Sequence, residues 1–221
     1  LWAELAALAV VTEQAEAWRR QAGALLELDE VVRHDPPAAS EAELRPYQRD
    51  GFGWLASLWE LGLGGILADD MGLGKTLQTL ALLCHARERD PGVGPFLVVA
   101  PTSVCRNWEE ELERFAPGLD VVRFASGDRA AMVQEARAGQ VLLVSYGLLA
   151  SERELLSSRT WSSVVFDEAP LATYRGGAID TKTVRALHAN NPAAIGARKL
   201  NLQSVQSKQY LSYLNDRVND H

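Results

Sequence analysis

The sequence predicts an α/β domain built on a parallel sheet with helices over both of its faces. Three observations predict it. Short unbroken apolar runs recur at 66–68, 96–100, 141–144 and 164–166, with a further run at 121–124 interrupted by Arg123, the pattern of strands buried on both faces. Between them lie segments whose apolar residues recur at three- and four-residue spacing, the mark of helices. The two kinds alternate, as a parallel sheet requires when each crossover passes over one of its faces.

Residues 1 to about 34 read as one or two helices, with Leu5, Leu8, Trp18, Leu25 and Leu28 as core positions. Trp18-Arg19-Arg20 reads as a solvated helix face before a nucleic-acid contact. His34-Asp35-Pro36-Pro37 stops any helix and opens a short Ala/Ser/Glu linker, because the residue before proline is driven out of the helical region. In Leu44-Arg45-Pro46-Tyr47-Gln48, Pro46 suits the first turn of a helix. Phe52, Leu55 and Trp59 follow on one face, and Gly62 is a stop.

Ile66 to Ala68 reads as a buried strand that runs into Asp69-Asp70-Met71-Gly72-Leu73-Gly74-Lys75-Thr76. Leu77, Leu80, Ala81 and Cys84 then repeat at helical spacing until Pro91-Gly92. Phe96 to Ala100 is the next strand, and Pro101-Thr102-Ser103 closes it with Ser103 as N-cap of a helix buried through Val104, Trp108, Leu112 and Phe115. Val121 to Phe124 is a strand, Gly127-Asp128 opens a helix through Met132, and Val141 to Val144 is a strand ending in Ser145-Tyr146. The last strand carries Val164-Val165-Phe166-Asp167-Glu168. Loops at the carboxyl ends of such strands are where ligands bind.

Composition bounds the rest. The 221 residues leave room for one sizeable domain and an appendage, and 47% hydrophobic content is that of an ordinary globular protein. A net charge of −7 argues against a broadly basic nucleic-acid coat while leaving room for a local patch. No apolar run approaches a membrane span and no signal segment opens the chain, so a soluble, intracellular protein is expected. The start at Leu1 reads as a fragment or an incomplete gene. Cys84 and Cys105 are too few for a disulfide framework or a zinc site and are expected to pack inside helices.

The stretch between strand and helix at 66–76 carries the first chemistry. Gly72 and Gly74 can take backbone angles that turn successive N–H groups onto an anion, and the helix N-terminus adds its positive end. Lys75 then reaches the β- and γ-phosphates of a nucleotide and the Thr76 hydroxyl sits on Mg²⁺. The general pattern G-x-x-x-x-G-K-[ST] has glycine where this chain has Asp69. From Leu1 to Ala169 the chain contains one lysine, Lys75, at the place where a compact ammonium must meet phosphate. Gln48, just upstream, has an amide that donates and accepts at once, as adenine demands. Asp167 and Glu168 divide into two tasks: Asp167 holds Mg²⁺ opposite Thr76, and Glu168 orients and deprotonates the attacking water.

Together these stretches resemble the SNF2-type superfamily 2 helicases. Leu44 to Gln48 resembles their Q motif. Ile66 to Thr76 resembles their motif I, which has no glycine at the Asp69 position. Val99-Ala100-Pro101-Thr102-Ser103 with Asn107-Trp108 resembles motif Ia and its helix, Ser145-Tyr146 resembles the next DNA-facing motif, and Asp167-Glu168-Ala169 begins motif II. The resemblance covers roughly 40 to 169.

It implies the amino-terminal RecA-like P-loop lobe of an ATP-driven translocase on double-stranded DNA, preceded by a helical arm. It assigns ATP binding to Gln48, Asp70, Met71, Gly72, Leu73, Gly74, Lys75 and Thr76, with Gln48 on adenine. Mg²⁺ falls to Thr76 and Asp167, catalysis to Glu168, Asp167 and Lys75, and DNA-backbone contact to Thr102, Ser103 and Ser145. Such contacts carry little sequence information, so the enzyme would track DNA without choosing a site, in the cytoplasm and on the nucleoid if bacterial.

The pattern then breaks. Where the family has His or Gln after Asp-Glu-Ala, this chain has Pro170, with no polar side chain and no N–H. Nothing beyond resembles motif III or the second lobe with its arginine fingers. Charge changes at the same place: residues 51–169 hold 16 acidic and 10 basic side chains, residues 170–221 only 3 and 7, with three of the four lysines and five of the six asparagines. Three regions are therefore expected: a helical arm and linker at 1–40, the ATP-binding lobe at 41–169, and a foreign or frameshifted tail at 170–221 from a mobile element or the start of an intein. Tail residues such as His188, Tyr210 and Tyr213 read as incidental. As a family the protein is an ATP hydrolase; this chain alone is expected to be inactive. The alternative is a truncated nucleotide-binding remnant without turnover, and a third reading, an unrelated P-loop ATPase, is opposed by Gln48 upstream and Asp167-Glu168-Ala169 downstream.

Overall fold

The structure, a computed structural model, describes residues 34–67, 69 and 72–168. The predicted arm helices, Ala68, Asp70, Met71 and everything from Ala169 onward lie outside the described residues. In chain order the elements are α1 (Pro46–Glu60), α2 (Lys75–Arg89), β1 (Phe96–Ala100), α3 (Thr102–Phe115), β2 (Asp120–Phe124), α4 (Arg129–Gln134), β3 (Gln140–Ser145), α5 (Tyr146–Ser151), α6 (Arg153–Ser157) and β4 (Ser163–Phe166). None of the described helices is long and apolar enough to cross a membrane.

The four strands form one sheet in the order β2-β3-β1-β4, with every pairing parallel. Register aligns Ala100 with Ser145 and Val99 with Phe166, so the loops after β1, β3 and β4 emerge along one edge. Alternate residues of each strand point to opposite faces, and here both faces are apolar. Phe96, Val98, Ala100, Val141, Leu143 and Val165 pack beneath α2 and α3 around Trp108 and Leu112. Leu97, Val99, Leu142, Val144 and Val164 face the other way, against α4, α5, α6 and Trp161. A third cluster joins α1 to α2 through Phe52, Leu55, Ala81 and Leu82.

Local signals account for most boundaries. Pro46 stands in the first turn of α1. At its other end Gly62 takes φ 66°; its N–H donates to the Trp59 carbonyl and the N–H of Leu63 to that of Leu58. This pair of bonds closes a helix with a left-handed residue, which glycine adopts without a Cβ penalty. Asp128 caps α4 by accepting from Ala131 N–H, and Ser145 caps α5 by accepting from Leu148 N–H.

Two expectations are corrected. Ile66 and Leu67 lie in no strand, so the described sheet has four strands and the glycine-containing loop before α2 does not leave it through a fifth. Ser103 is not an N-cap: α3 begins at Thr102, two residues before the start that a Ser103 cap implies, with Pro101 at the cap position and no side-chain cap bond. The fixed φ of proline suits the extended cap conformation seen there, φ −57° and ψ 143°. The Ala/Ser/Glu linker is also tied down: Ala39 N–H donates to Glu88 and Glu41 N–H to the Phe115 carbonyl.

Cys84 and Cys105 are both buried free thiols in helices. Burial pushes the Cys84 thiol from 9.0 up to about 12, with Glu88 adding to the shift, and burial also raises Cys105. Because the thiolate is the nucleophile, neither cysteine should react with a thiol-specific disulfide reagent at pH 8 on the timescale of minutes, while both react in denaturant. The folded chain holds Cys84 in its neutral form, so this contribution to stability is complete below pH 9 and is lost as pH rises from about 9 toward about 12. Urea midpoints measured across that range should fall.

Candidate nucleotide site

The site is assembled from four places: the start of α1, the loop before α2, the face of α3 toward α2, and the segment after β4. Gln48, in the first turn of α1, is buried at 5% exposure. Its Oε1 accepts from Arg45 N–H at 2.9 Å, half of a capping box, and its Nε2 donates to the Leu73 carbonyl at 3.0 Å. One side chain thus ties the beginning of α1 to the loop before α2.

The loop turns through two left-handed residues, Gly72 at φ 88° and Gly74 at φ 74°. Gly74 is the N-cap of α2, no side chain caps that end, and no acidic residue occupies its first turn. The first N–H groups of a helix have no partner within it, and this end is open to an anion. Lys75 folds back across the loop, its Nζ donating to the Asp69 carbonyl at 2.8 Å, while Asp69 Oδ2 accepts from Gln78 Nε2 at 3.1 Å. Asp69 therefore serves the loop with both backbone and side chain.

Gly74 is needed for space as well as for its φ. A Cβ there would stand 2.3 Å from Gln48 Nε2. Gly74→Ala should cost about 1–2 kcal/mol for the left-handed backbone alone, displace Gln48 from Leu73, and weaken nucleotide binding; thermal melts and nucleotide titration check both effects.

Gly74, Thr76, Leu77, Asn107, Glu111 and Arg114 line a cleft of about 390 Å³ between α2 and α3. Burial raises the Glu111 carboxyl above the ordinary range, and the charge of Asp167 raises it further, so the cleft is within electrostatic reach of the β4 segment. Asp167 itself is held at two atoms and its carbonyl. Its N–H continues the sheet pattern by donating to the Val99 carbonyl at 2.8 Å, and its Oδ2 accepts from Trp108 Nε1 at 2.8 Å. The Tyr146 hydroxyl donates to the Asp167 carbonyl. Burial, then the charges of Asp167 and Glu168, raise the Tyr146 phenol well above its usual range, which keeps it a donor.

Glu168 has φ 53°, the one positive φ outside glycine among the described residues. For a residue with a Cβ this costs roughly 1–2 kcal/mol, and such strain gathers at functional sites where surroundings over-determine it. The remaining sequence candidates lie along the same edge: Thr102 and Ser103 are exposed at the start of α3, and Ser145 is half-buried at the end of β3, aligned with Ala100. The Ser145 hydroxyl oxygen is engaged as the cap of α5. Asp70 and Met71 lie outside the described residues. Sequence reasoning missed Trp108 as the partner of Asp167. The signal available was that a buried indole N–H needs an acceptor.

The family profile described as the SNF2-related domain matches residues 47–191. The chain belongs to the SNF2-related family. The matched span extends beyond the Ala169 boundary read from composition. Over 147 residues the chain is 43% identical to a putative ATP-dependent helicase/translocase, YwqA, of Bacillus subtilis, covering 64% of this chain and 16% of that protein. Over 146 residues it is 41% identical to the helicase SWR1 of Saccharomyces cerevisiae, covering 63% of this chain and 10% of that protein. Among solved structures it is similar to the Sulfolobus solfataricus SWI2/SNF2 ATPase core in complex with dsDNA, at TM-score 0.62 and 37% identity, covering 74% of this chain and 33% of that one. The ATPase core domain from the same organism matches at TM-score 0.60 and 32% identity, covering 76% and 33%. This SNF2-related chain thus spans a sixth or less of these curated relatives and a third of the solved chains.

Proposed function

We propose that this SNF2-related chain is the ATP-binding amino-terminal lobe of an ATP-driven translocase on double-stranded DNA. The observation that carries the reading is an uncapped helix N-terminus bearing Lys75 and Thr76, with Thr76 lining a cleft beside Glu111, whose carboxyl feels the charge of the anchored Asp167. The residues fit ATP·Mg²⁺: the loop is open beside Gly72, where an added Cβ would meet nothing within 4 Å, and oxygen donors suited to Mg²⁺ are at hand in Thr76 and Asp167. When bound, Mg²⁺ supplies neutralisation of charge developing on the transferred phosphoryl group.

The chain's own residues then divide the work. Lys75 exchanges the Asp69 carbonyl for phosphate oxygens. Gln48 reads adenine once its amide gives up the Arg45 N–H and the Leu73 carbonyl, Gly72, Leu73 and Gly74 offer backbone N–H groups with Asp70 and Met71 alongside, and Glu168 orients and deprotonates water. Thr102, Ser103 and Ser145 contact the DNA backbone without reading bases. Residues 1–40 are the arm and linker, 41–169 the lobe, and 170–221 a tail foreign to it. The arginine fingers are expected from a second lobe, and the setting is the cytoplasm, or the nucleoid in a bacterium.

The alternative is a remnant that binds nucleotide without turning it over. Steady-state ATP hydrolysis with and without duplex DNA tests the remnant reading. The 221-residue chain should bind ATP weakly and show no stimulation by DNA. A DNA-stimulated rate that disappears in Glu168→Gln would overturn the remnant reading.

A further inference from the structure

Far from the phosphate loop, three segments bring metal-binding side chains together. His34 precedes the linker, Glu60 ends α1, and His85 lies on α2; one ligand atom from each falls within 4.8 Å of the others. His85 Nε2 is 3.1 Å from Glu60 Oε1, and His34 Nδ1 is 4.0 Å from the same oxygen. We propose that His34, Glu60 and His85 form a binding site for a divalent transition-metal ion of the zinc class, which clasps the start of the described chain onto the α1–α2 pair.

Two imidazoles and one carboxylate with an open fourth position make a donor set that zinc accepts. The outer shell is also present. His34 Nε2 lies 3.0 Å from Ser57 Oγ, which itself donates to the Gly53 carbonyl at 2.9 Å. Since Ser57 has used its proton on Gly53, it accepts from His34 Nε2–H, which leaves the lone pair of Nδ1 facing Glu60. A ligand histidine held through its other nitrogen is a recurring feature of metal sites. Phe52 and Trp59 pack edge-on against the imidazoles and form an apolar wall, while Glu60 remains exposed and gives an entry path.

Arg89 is the cation now beside the carboxylate, its Nη2 3.2 Å from Glu60 Oε1. Its side chain is 60% exposed, and an exposed pair of this kind is held weakly. The guanidinium can swing into water as the metal enters.

The test is titration of the untagged, chelator-treated 221-residue chain with Zn²⁺ alone, followed by calorimetry and thermal melting. One equivalent should bind saturably, and the melting temperature should rise by roughly 5–10 °C at a hundredfold excess over Kd. His34→Ala, at the edge of the fold, should weaken binding by at least about tenfold, and Ser57→Ala, which removes only the orienting hydroxyl, by about tenfold. A His188→Ala/His221→Ala chain, lacking the other two histidines, should bind as the parent does. Absence of saturable binding, or binding unchanged in His34→Ala, would overturn the site and leave a hydrogen-bonded His–Glu–Arg cluster. ATP titration of the same preparations is expected to be unaffected by His34→Ala, so failure of the metal site and failure of the nucleotide reading are separate results.

Discussion

Lys75→Ala will lower the affinity of the chain for ATP·Mg²⁺ by at least about 20-fold while leaving its circular dichroism unchanged. The side chain donates charge-assisted bonds, worth roughly 1.5–3 kcal/mol each when the partner is anionic. In the nucleotide-free chain Lys75 Nζ donates to the neutral Asp69 carbonyl, a bond worth about 1 kcal/mol. Phosphate oxygens offer the same ammonium charged acceptors, so the substitution weighs on the bound state. Lys75→Arg should recover only part of the affinity, because a planar fork cannot occupy the place of a compact ammonium. Calorimetric titration of the three chains measures the series, and equal affinity in Lys75→Ala would remove the phosphate-loop reading altogether.

Replacing Trp108 should give the largest loss of stability at the site. Trp108 is 1% exposed at the centre of the cluster beneath the sheet, so Trp108→Ala should cost about 3–5 kcal/mol. Trp108→Phe keeps most of the packing and deletes the indole N–H, leaving Asp167 Oδ2 without the 2.8 Å bond that orients it. That variant should lose roughly 1–3 kcal/mol, and its Mg²⁺-dependent gain in nucleotide affinity should shrink while Mg²⁺-free affinity is kept. Denaturant melts give the first quantity, and nucleotide titration with and without Mg²⁺ gives the second. A Trp108→Phe chain whose Mg²⁺ dependence matches the parent's would show that Asp167 does not rely on the indole.

The parts of this architecture legible in the sequence are those where one local signal decides. Phe96-Leu97-Val98-Val99-Ala100 is apolar throughout because both of its faces are covered, and β1 spans those five residues. Pro46 and Gly62 bracket α1 through backbone constraints that need no tertiary partner. Ile66 and Leu67 have the composition of a strand yet pair with none, since apolar content speaks of burial and not of hydrogen bonding. Ser103 had the chemistry of a cap, but Pro101 already supplies the extended conformation two residues earlier. The contacts that finish the site were hidden by distance along the chain: Trp108 and Asp167 are 59 residues apart and Gln48 and Leu73 are 25 apart. Glu60 and His85, likewise 25 apart, stand at helix positions where either would pass for an ordinary surface side chain.

The strand order β2-β3-β1-β4 has a consequence for synthesis. β1 is the inner strand that is made first, and both neighbours come later, β3 at Gln140–Ser145 and β4 at Ser163–Phe166. At translation rates of about 5–20 residues per second, its second edge waits roughly 3–13 s for a partner after Ala100 has been added. Through that interval a fully apolar segment with unpaired backbone groups is available to any other nascent chain, so a polypeptide ending before Ser163 would leave the ribosome with its central strand open on one side and would be a substrate for holdase chaperones.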